Sequence, residues 1–200
     1  MPEFSNTRHE ILSLDLLSDG QPVQFQFKSM EDAGRQMEKY QHIPHRHNYY
    51  SIIWVTDGQG KHIIDFKTYI VKPGAIYFIS PEQVHDLQMH GPYQGFVFLF
   101  TTDFAEQNGI PVNWLQDSGF FYRCDDTRTF IITEEKDKQK LRRLTDLILE
   151  ESELTDRYRA EAIGSLLKLF LLECKRIDET VKINSDIKPA ARSQLIKQFK

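Results

Sequence analysis

The chain has 200 residues, 40% of them hydrophobic and 27% charged, with a net charge of −4. That is long enough to bury a core of one domain plus an appendage, and the acidic balance argues against a nucleic-acid-binding surface, which would carry a basic surplus. The longest apolar runs, near Gly95–Phe100 and Leu166–Leu172, fall far short of the roughly 18 residues needed to cross a bilayer.

The amino terminus, Met1-Pro2-Glu3-Phe4, lacks a basic region followed by an apolar run, so no signal peptide is expected and the location is read as cytoplasmic. Cys124 and Cys174 form no metal-type pair and read as reduced thiols. After a short apolar run at Ile11–Leu17, Val23-Gln24-Phe25-Gln26-Phe27 alternates as a strand with one apolar face. Ser29 is placed to cap a short helix through about Tyr40, with Glu31 and Asp32 in its first turn.

A dense series of strand signals follows. Ser51–Thr56 is expected to turn at Asp57-Gly58-Gln59-Gly60 and return as Lys61–Phe66. Tyr69–Val71, a turn at Lys72-Pro73-Gly74, then Ala75–Ser80, His85–Met89 and Gly95–Thr101 complete the set. Short strands at close spacing indicate a sandwich or barrel. The 14 Phe and 8 Tyr suit strands and aromatic-lined cavities. Ser51–Val55 and Gly95–Thr101 are apolar on both faces, so both must be covered. The inner face would line a cavity, and the outer face needs a helix or a partner subunit.

Residues 102–133 read as irregular structure packed on the barrel. From Glu134 the pattern becomes helical. Leu141, Leu144, Leu147 and Ile148 mark one helix, and Ile163, Leu166, Leu167, Phe170, Leu171 and Cys174 a second, with Thr133 and Thr155 as candidate N-caps. Two such helices on a short link pack antiparallel. The second stripe is wide enough to predict a homodimer through this pair. Residues 179–187 read as a linker. Asp186 to Lys200 carries four basic residues and one acidic, a net +3, and looks like a helix beginning. The expected division is therefore 1–133 barrel, 134–178 helical hairpin, and 179–200 linker and the start of a further domain.

The chemistry concentrates at Pro44-His45-Arg46-His47 and Ile79-Ser80-Pro81-Glu82-Gln83-Val84-His85. Residues two apart on a strand share a face, so His45 and His47 project together, with Tyr49, Ser51, Ile53 and Val55 following them in the absence of a bulge. A third imidazole, His85, arrives about 40 residues later from another strand. Three imidazoles can hold a transition metal. Ser51, however, stands where a fourth, carboxylate ligand would be expected. The residues leave three readings: a divalent metal on His45, His47 and His85; a polar organic ligand held by the same histidines with Ser51 and Tyr77; or structural histidines. His9, His42, His62 and His90 read as surface or satisfied polar residues. No nucleophile with its base and no phosphate-cradling loop is present.

The stretches Pro44–His47, Gly58-Gln59-Gly60, Lys72-Pro73-Gly74 and Ile79–His85 resemble the cupin-type N-terminal domain of AraC-family transcription regulators over roughly 10–178. Ala191–Lys200 looks like the entry helix of that family's helix-turn-helix domain. The resemblance implies a mainly β fold, a cupin double-stranded β-helix (jelly-roll) barrel followed by a C-terminal helical hairpin. It also implies a small-molecule effector in the barrel, a sugar or small organic metabolite, and a homodimer through 134–178. DNA would be read by a C-terminal domain of which only the start is here. His45, His47 and His85 carry over as pocket residues. No catalytic residue, resident cofactor or membrane contact is expected. The competing class is a metal-dependent cupin enzyme, a dioxygenase or isomerase using the three histidines. A third possibility is a dimerisation module with an empty barrel.

Overall fold

Period-two apolar patterning on both faces makes strands that need cover above and below, and the architecture follows from that demand. In a computed structural model, residues 11–14, 23–36, 43–121 and 130–197 are described, with side chains from Leu12 through Thr180. The order is β1 (Ile11–Leu12), β2 (Phe25–Ser29), α1 (Met30–Gln36), β3 (Arg46–His47), β4 (Tyr50–Ile64), β5 (Lys67–Val71), β6 (Ala75–Ile79), β7 (His85–Phe100), α2 (Thr102–Gln107), α3 (Val112–Asp117), β8 (Phe130–Ile131), α4 (Glu135–Glu153) and α5 (Arg159–Lys197). The main sheet runs β2-β7-β4-β6-β8, with β5 also paired to β4. β1 and β3 form a small parallel pair. The fold is a mainly antiparallel cupin barrel followed by helices.

The expected reversal at Asp57–Gly60 is not a turn. β4 continues through it as a 15-residue strand, with register shifts against β7 between Val55 and Asp57 and between Asp57 and Gln59. Gly60 is required there by close approach: a Cβ would stand 2.2 Å from Gln88 O. The chain reverses instead at Asp65-Phe66, whose φ values of 44° and 68° give the twist that a two-residue hairpin needs. Asp65 is held in place because its carboxylate accepts from Gln83 Nε2 at 2.7 Å and from Val84 N at 3.2 Å. Likewise, the two strands expected at 85–89 and 95–101 are one, β7, with Gly91 at φ 70° where it departs from the ladder. The turn at Lys72-Pro73-Gly74 is present, Gly74 taking φ 88° against Ile132 O.

The two faces of the sheet bury different things. Tyr50, Ile52 and Trp54 of β4 and Phe98 and Phe100 of β7 share a cluster with Leu141, Ile148, Ile163, Leu167 and Phe170. Phe170 of α5 lies with its ring centroid 4.8 Å from Phe98 and 6.3 Å from Trp54. The outer face is thus covered by the chain's own helices. Tyr49, Ile53, Val55, Tyr77, Ile79, Val97 and Leu99 form the second cluster, on the cavity side.

The helices depart from expectation in several places. Residues 102–117 hold α2 and α3 in place of irregular structure, α2 being capped by Thr101 Oγ1, which accepts from Phe104 N at 3.1 Å. Ser29 Oγ accepts from Asp32 N at 3.0 Å and so opens α1. Glu134, not Thr133, is the N-cap of α4 and makes no side-chain cap bond. Thr155 caps nothing, because α5 begins at Arg159. The α4 and α5 helices run antiparallel: Lys140 meets the buried Glu173 at 2.6 Å, and Arg159 Nε donates to Ser152 O at 3.2 Å. Leu147 lies outside the apolar seam and is 45% exposed. The backbone of α5 continues helical through 179–187, where a linker is expected. Cys174 is a buried free thiol, whereas Cys124, His9 and His42 lie outside the described residues.

Candidate functional site

Backbone pairing brings the histidines together. His45 and His85 form an antiparallel bridge, His45 N donating to His85 O at 3.0 Å and His85 N to His45 O at 2.8 Å. His47 is pinned by its own carbonyl, which accepts from Glu82 N at 2.8 Å. The ring centroids of His45 and His85 are 4.5 Å apart, those of His47 and His85 5.0 Å, and those of His45 and His47 6.5 Å. His47 stacks on Tyr49 at 4.1 Å, nearly parallel.

These rings form one end of a cavity of about 190 Å³. His45, His47, Tyr49, Ser51 and Ile53 line it, as the alternation along the strand predicts, despite the break between β3 and β4. His85, Asp86 and Leu87 of β7 and Met30 of α1 also contribute, with Val97 and Leu99 completing an apolar wall. A concave, mainly apolar pocket with a few placed polar groups is what small-molecule sites have in common. Tyr77 stands one layer behind, outside the cavity wall, with its ring edge-on to His62 at 4.6 Å.

His62 corrects the sequence reading. Read as a surface or satisfied polar residue, it is completely buried beside the cavity cluster, and its Nε2 lies 3.1 Å from His85 Nδ1. The register shifts at Val55–Gln59 reset the alternation of β4, so that His62 faces inward. Simple counting from Ser51 does not carry across such a bulge. His90, by contrast, is exposed.

Burial keeps the cluster neutral. It lowers the pKa of His47 and of His62 to about 3, and for His47 the bond to the Tyr49 carbonyl only partly opposes it. His85 is driven well below the ordinary value, by burial first and then by the neighbouring imidazoles. His45 is lowered by burial, with its Ile43 carbonyl bond and Asp86 acting in the other direction. The Tyr49 hydroxyl is pushed up by burial and stays protonated. His47 Nε2, His85 Nε2 and His62 Nδ1 are buried without a protein partner. Unsatisfied buried nitrogens are costly to a fold, and two of these, His47 Nε2 and His85 Nε2, belong to residues lining the cavity.

Ser51, which lines the cavity with the three imidazoles, adds no carboxylate to them. Among the described residues, no group of three or more His, Cys, Asp or Glu side chains is arranged to hold an ion.

Barrel, cavity and imidazole cluster together define a ligand-binding cupin domain. The model of the AraC-like ligand binding domain matches residues 31–170, most of the chain, and the protein belongs to that family. This is a regulatory ligand-binding class and not an enzyme class. No curated protein matches the chain. Among solved structures, the AraC-like transcriptional activator CuxR is 11% identical over 65% of this chain and 42% of its own, with a TM-score of 0.39. ToxT from Vibrio cholerae is 11% identical over 77% of this chain and 57% of its own, with a TM-score of 0.38. A cupin protein from Bacteroides fragilis is 13% identical over 50% and 82%, with a TM-score of 0.28. The chain therefore spans about half the length of the two regulators. The family assignment rests on the domain match and not on these distant likenesses. Among the described residues, no helix is long and apolar enough to cross a membrane.

Proposed function

We propose that the chain is the effector-sensing and dimerisation portion of a bacterial AraC-type transcription regulator, working in the cytoplasm. A small polar effector, a sugar or small organic metabolite, occupies the barrel and is held by His45, His47 and His85, with Ser51 beside them. Tyr77 acts from behind, through His62. The single observation that carries this reading is the set of buried, unpartnered imidazole nitrogens at one end of an apolar cavity. Residues 1–133 form the sensor, 134–178 the helical pair through which two copies associate, and 179–200 lead to the DNA-reading domain. Effector binding shifts an equilibrium between two dimer arrangements.

A thermal-shift screen against sugars and small metabolites tests the sensor. A ligand that binds only the folded state raises stability with the logarithm of its concentration, and at least one compound is expected to do so. Stoichiometric iron, manganese or nickel in protein purified without chelator would contradict the reading and support the enzyme alternative. The chain alone, at net charge −4, is expected to show no sequence-specific DNA affinity. Operator binding that survives competitor DNA at physiological salt would refute that part, because non-specific contacts weaken steeply with salt.

A further inference from the structure

The bonds that hold the imidazoles also decide what they offer a ligand. A backbone carbonyl has no proton to give, so a ring nitrogen bonded to one must itself carry the hydrogen. His45 Nδ1 donates to Ile43 O at 3.0 Å, and His47 Nδ1 donates to Tyr49 O at 2.7 Å. A neutral imidazole has one N–H, and burial keeps both rings neutral. Nε2 of each is therefore a bare lone pair, an acceptor.

His85 is different. Its Nδ1 partner is another imidazole nitrogen, His62 Nε2, at 3.1 Å, and one proton lies between them. If His62 donates, His85 carries its hydrogen on Nε2 and can donate to the cavity. If His85 donates, its Nε2 accepts. The polar end of the pocket thus presents two fixed acceptors and one group of either kind. A carboxylate brings only acceptors and a negative charge. It would set lone pairs against lone pairs, with the buried Asp86 adding like charge from the same wall. Lys28 also lines the cavity, where its Nζ donates to the neutral Gln36 Oε1. A hydroxyl both donates and accepts, and neighbouring hydroxyls can meet neighbouring imidazoles. The rest of the wall, including Met30, Ile53, Leu87, Val97 and Leu99, is apolar.

We infer that the pocket selects a neutral compound with adjacent hydroxyls and an apolar face, whose hydroxyls donate to Nε2 of His45 and His47, and that His62 is a positioning residue setting the tautomer of His85. This rests on the reading of the cavity as the effector site.

Nitrogen-15 NMR of ring-labelled histidine near neutral pH tests both parts. His45 and His47 are expected as Nδ1–H tautomers. Propane-1,2-diol and cis-cyclohexane-1,2-diol are then compared with propanoate and cyclohexanecarboxylate at equal millimolar concentration. The diols are expected to move the Nε2 signals of His45 and His47, and the acids to leave them in place. Substituting His62→Phe removes the relay while filling its volume. It is expected to fix His85 in one tautomer and to weaken diol binding about tenfold, the scale of one lost hydrogen bond. His62→Gln, which keeps a polar partner for His85 Nδ1, restores part of that loss and carries the test if the Phe variant does not fold. Nε2–H tautomers at His45 or His47, acids binding in preference to diols, or an unchanged His85 tautomer in both His62 variants would overturn the inference. If neither diols nor acids move any cavity signal, the reading of the cavity as the effector site fails, and the inference with it.

Discussion

The two faces of the β4–β7 ladder are made by alternate residues of the same strands, yet they are finished differently. On the helix side, Trp54, Phe98 and Phe100 are sealed by Phe170 and its neighbours into an apolar cluster. On the cavity side, Ser51, His47 and His85 are as deeply buried, but buried nitrogens are left without partners. The helix face is covered by the chain's own helices, although Trp54 Nε1 is also buried there without a partner. The cavity face leaves His47 Nε2 and His85 Nε2 unpartnered beside an open pocket, which is where the proposed effector would complete it.

The sharpest way to test that contrast is to damage each face. Phe170→Ala removes a fully buried ring from the helix side and should cost about 3–5 kcal/mol, measured by denaturant unfolding. A cost under 1 kcal/mol would mean that α5 does not seal the sheet.

Acid should act on the other face. The pKa values of His47 and His62 fall from 6.5 unfolded to about 3 folded. Between those limits the unfolded chain binds more protons, so stability must drop as pH falls. The contribution is whole above the unfolded value, declines below it, and levels off near the folded one. The limiting slope is about 1.4 kcal/mol per pH unit for each group. Replacing His62 with Phe should flatten the stability–pH curve over that range, and an unaltered curve would show that His62 is not the buried neutral group described.

Smaller effects are expected at the helical surface. Leu169 is 39% exposed, so Leu169→Glu should change the stability of one chain by under about 0.5 kcal/mol, as surface substitutions do. Light scattering of the unmodified chain should give a dimer and that of the variant a monomer. A monomeric unmodified chain at tens of micromolar would remove the dimer proposal and leave the α5 stripe as intramolecular core.

The sequence made the strands and the pocket's first half legible because period two survives from Tyr49 to Val55, so His47, Ser51 and Ile53 could be placed on one face. It failed where that period is interrupted. Gly58 and Gly60 look like turn residues, but Gly60 is there to admit the β7 backbone, and the true hairpin at Asp65-Phe66 has a turn-type Asp but no glycine at either positive-φ position. That displacement hid His62. The outer face was read as needing a helix or a partner, and Phe170 shows that the chain's own helix meets the need. Capping was misplaced at Thr133 and Thr155 because a side chain able to cap does so only where the helix begins.

The most direct test of the central claim is ligand-induced thermal stabilisation of the unmodified chain beside His45→Ala/His85→Ala. The account predicts that a compound found in the thermal-shift screen raises the melting temperature of the unmodified chain. The double variant should retain the same circular-dichroism spectrum and show no shift with that compound. A full shift in the folded double variant, or a double variant that does not fold, would contradict it.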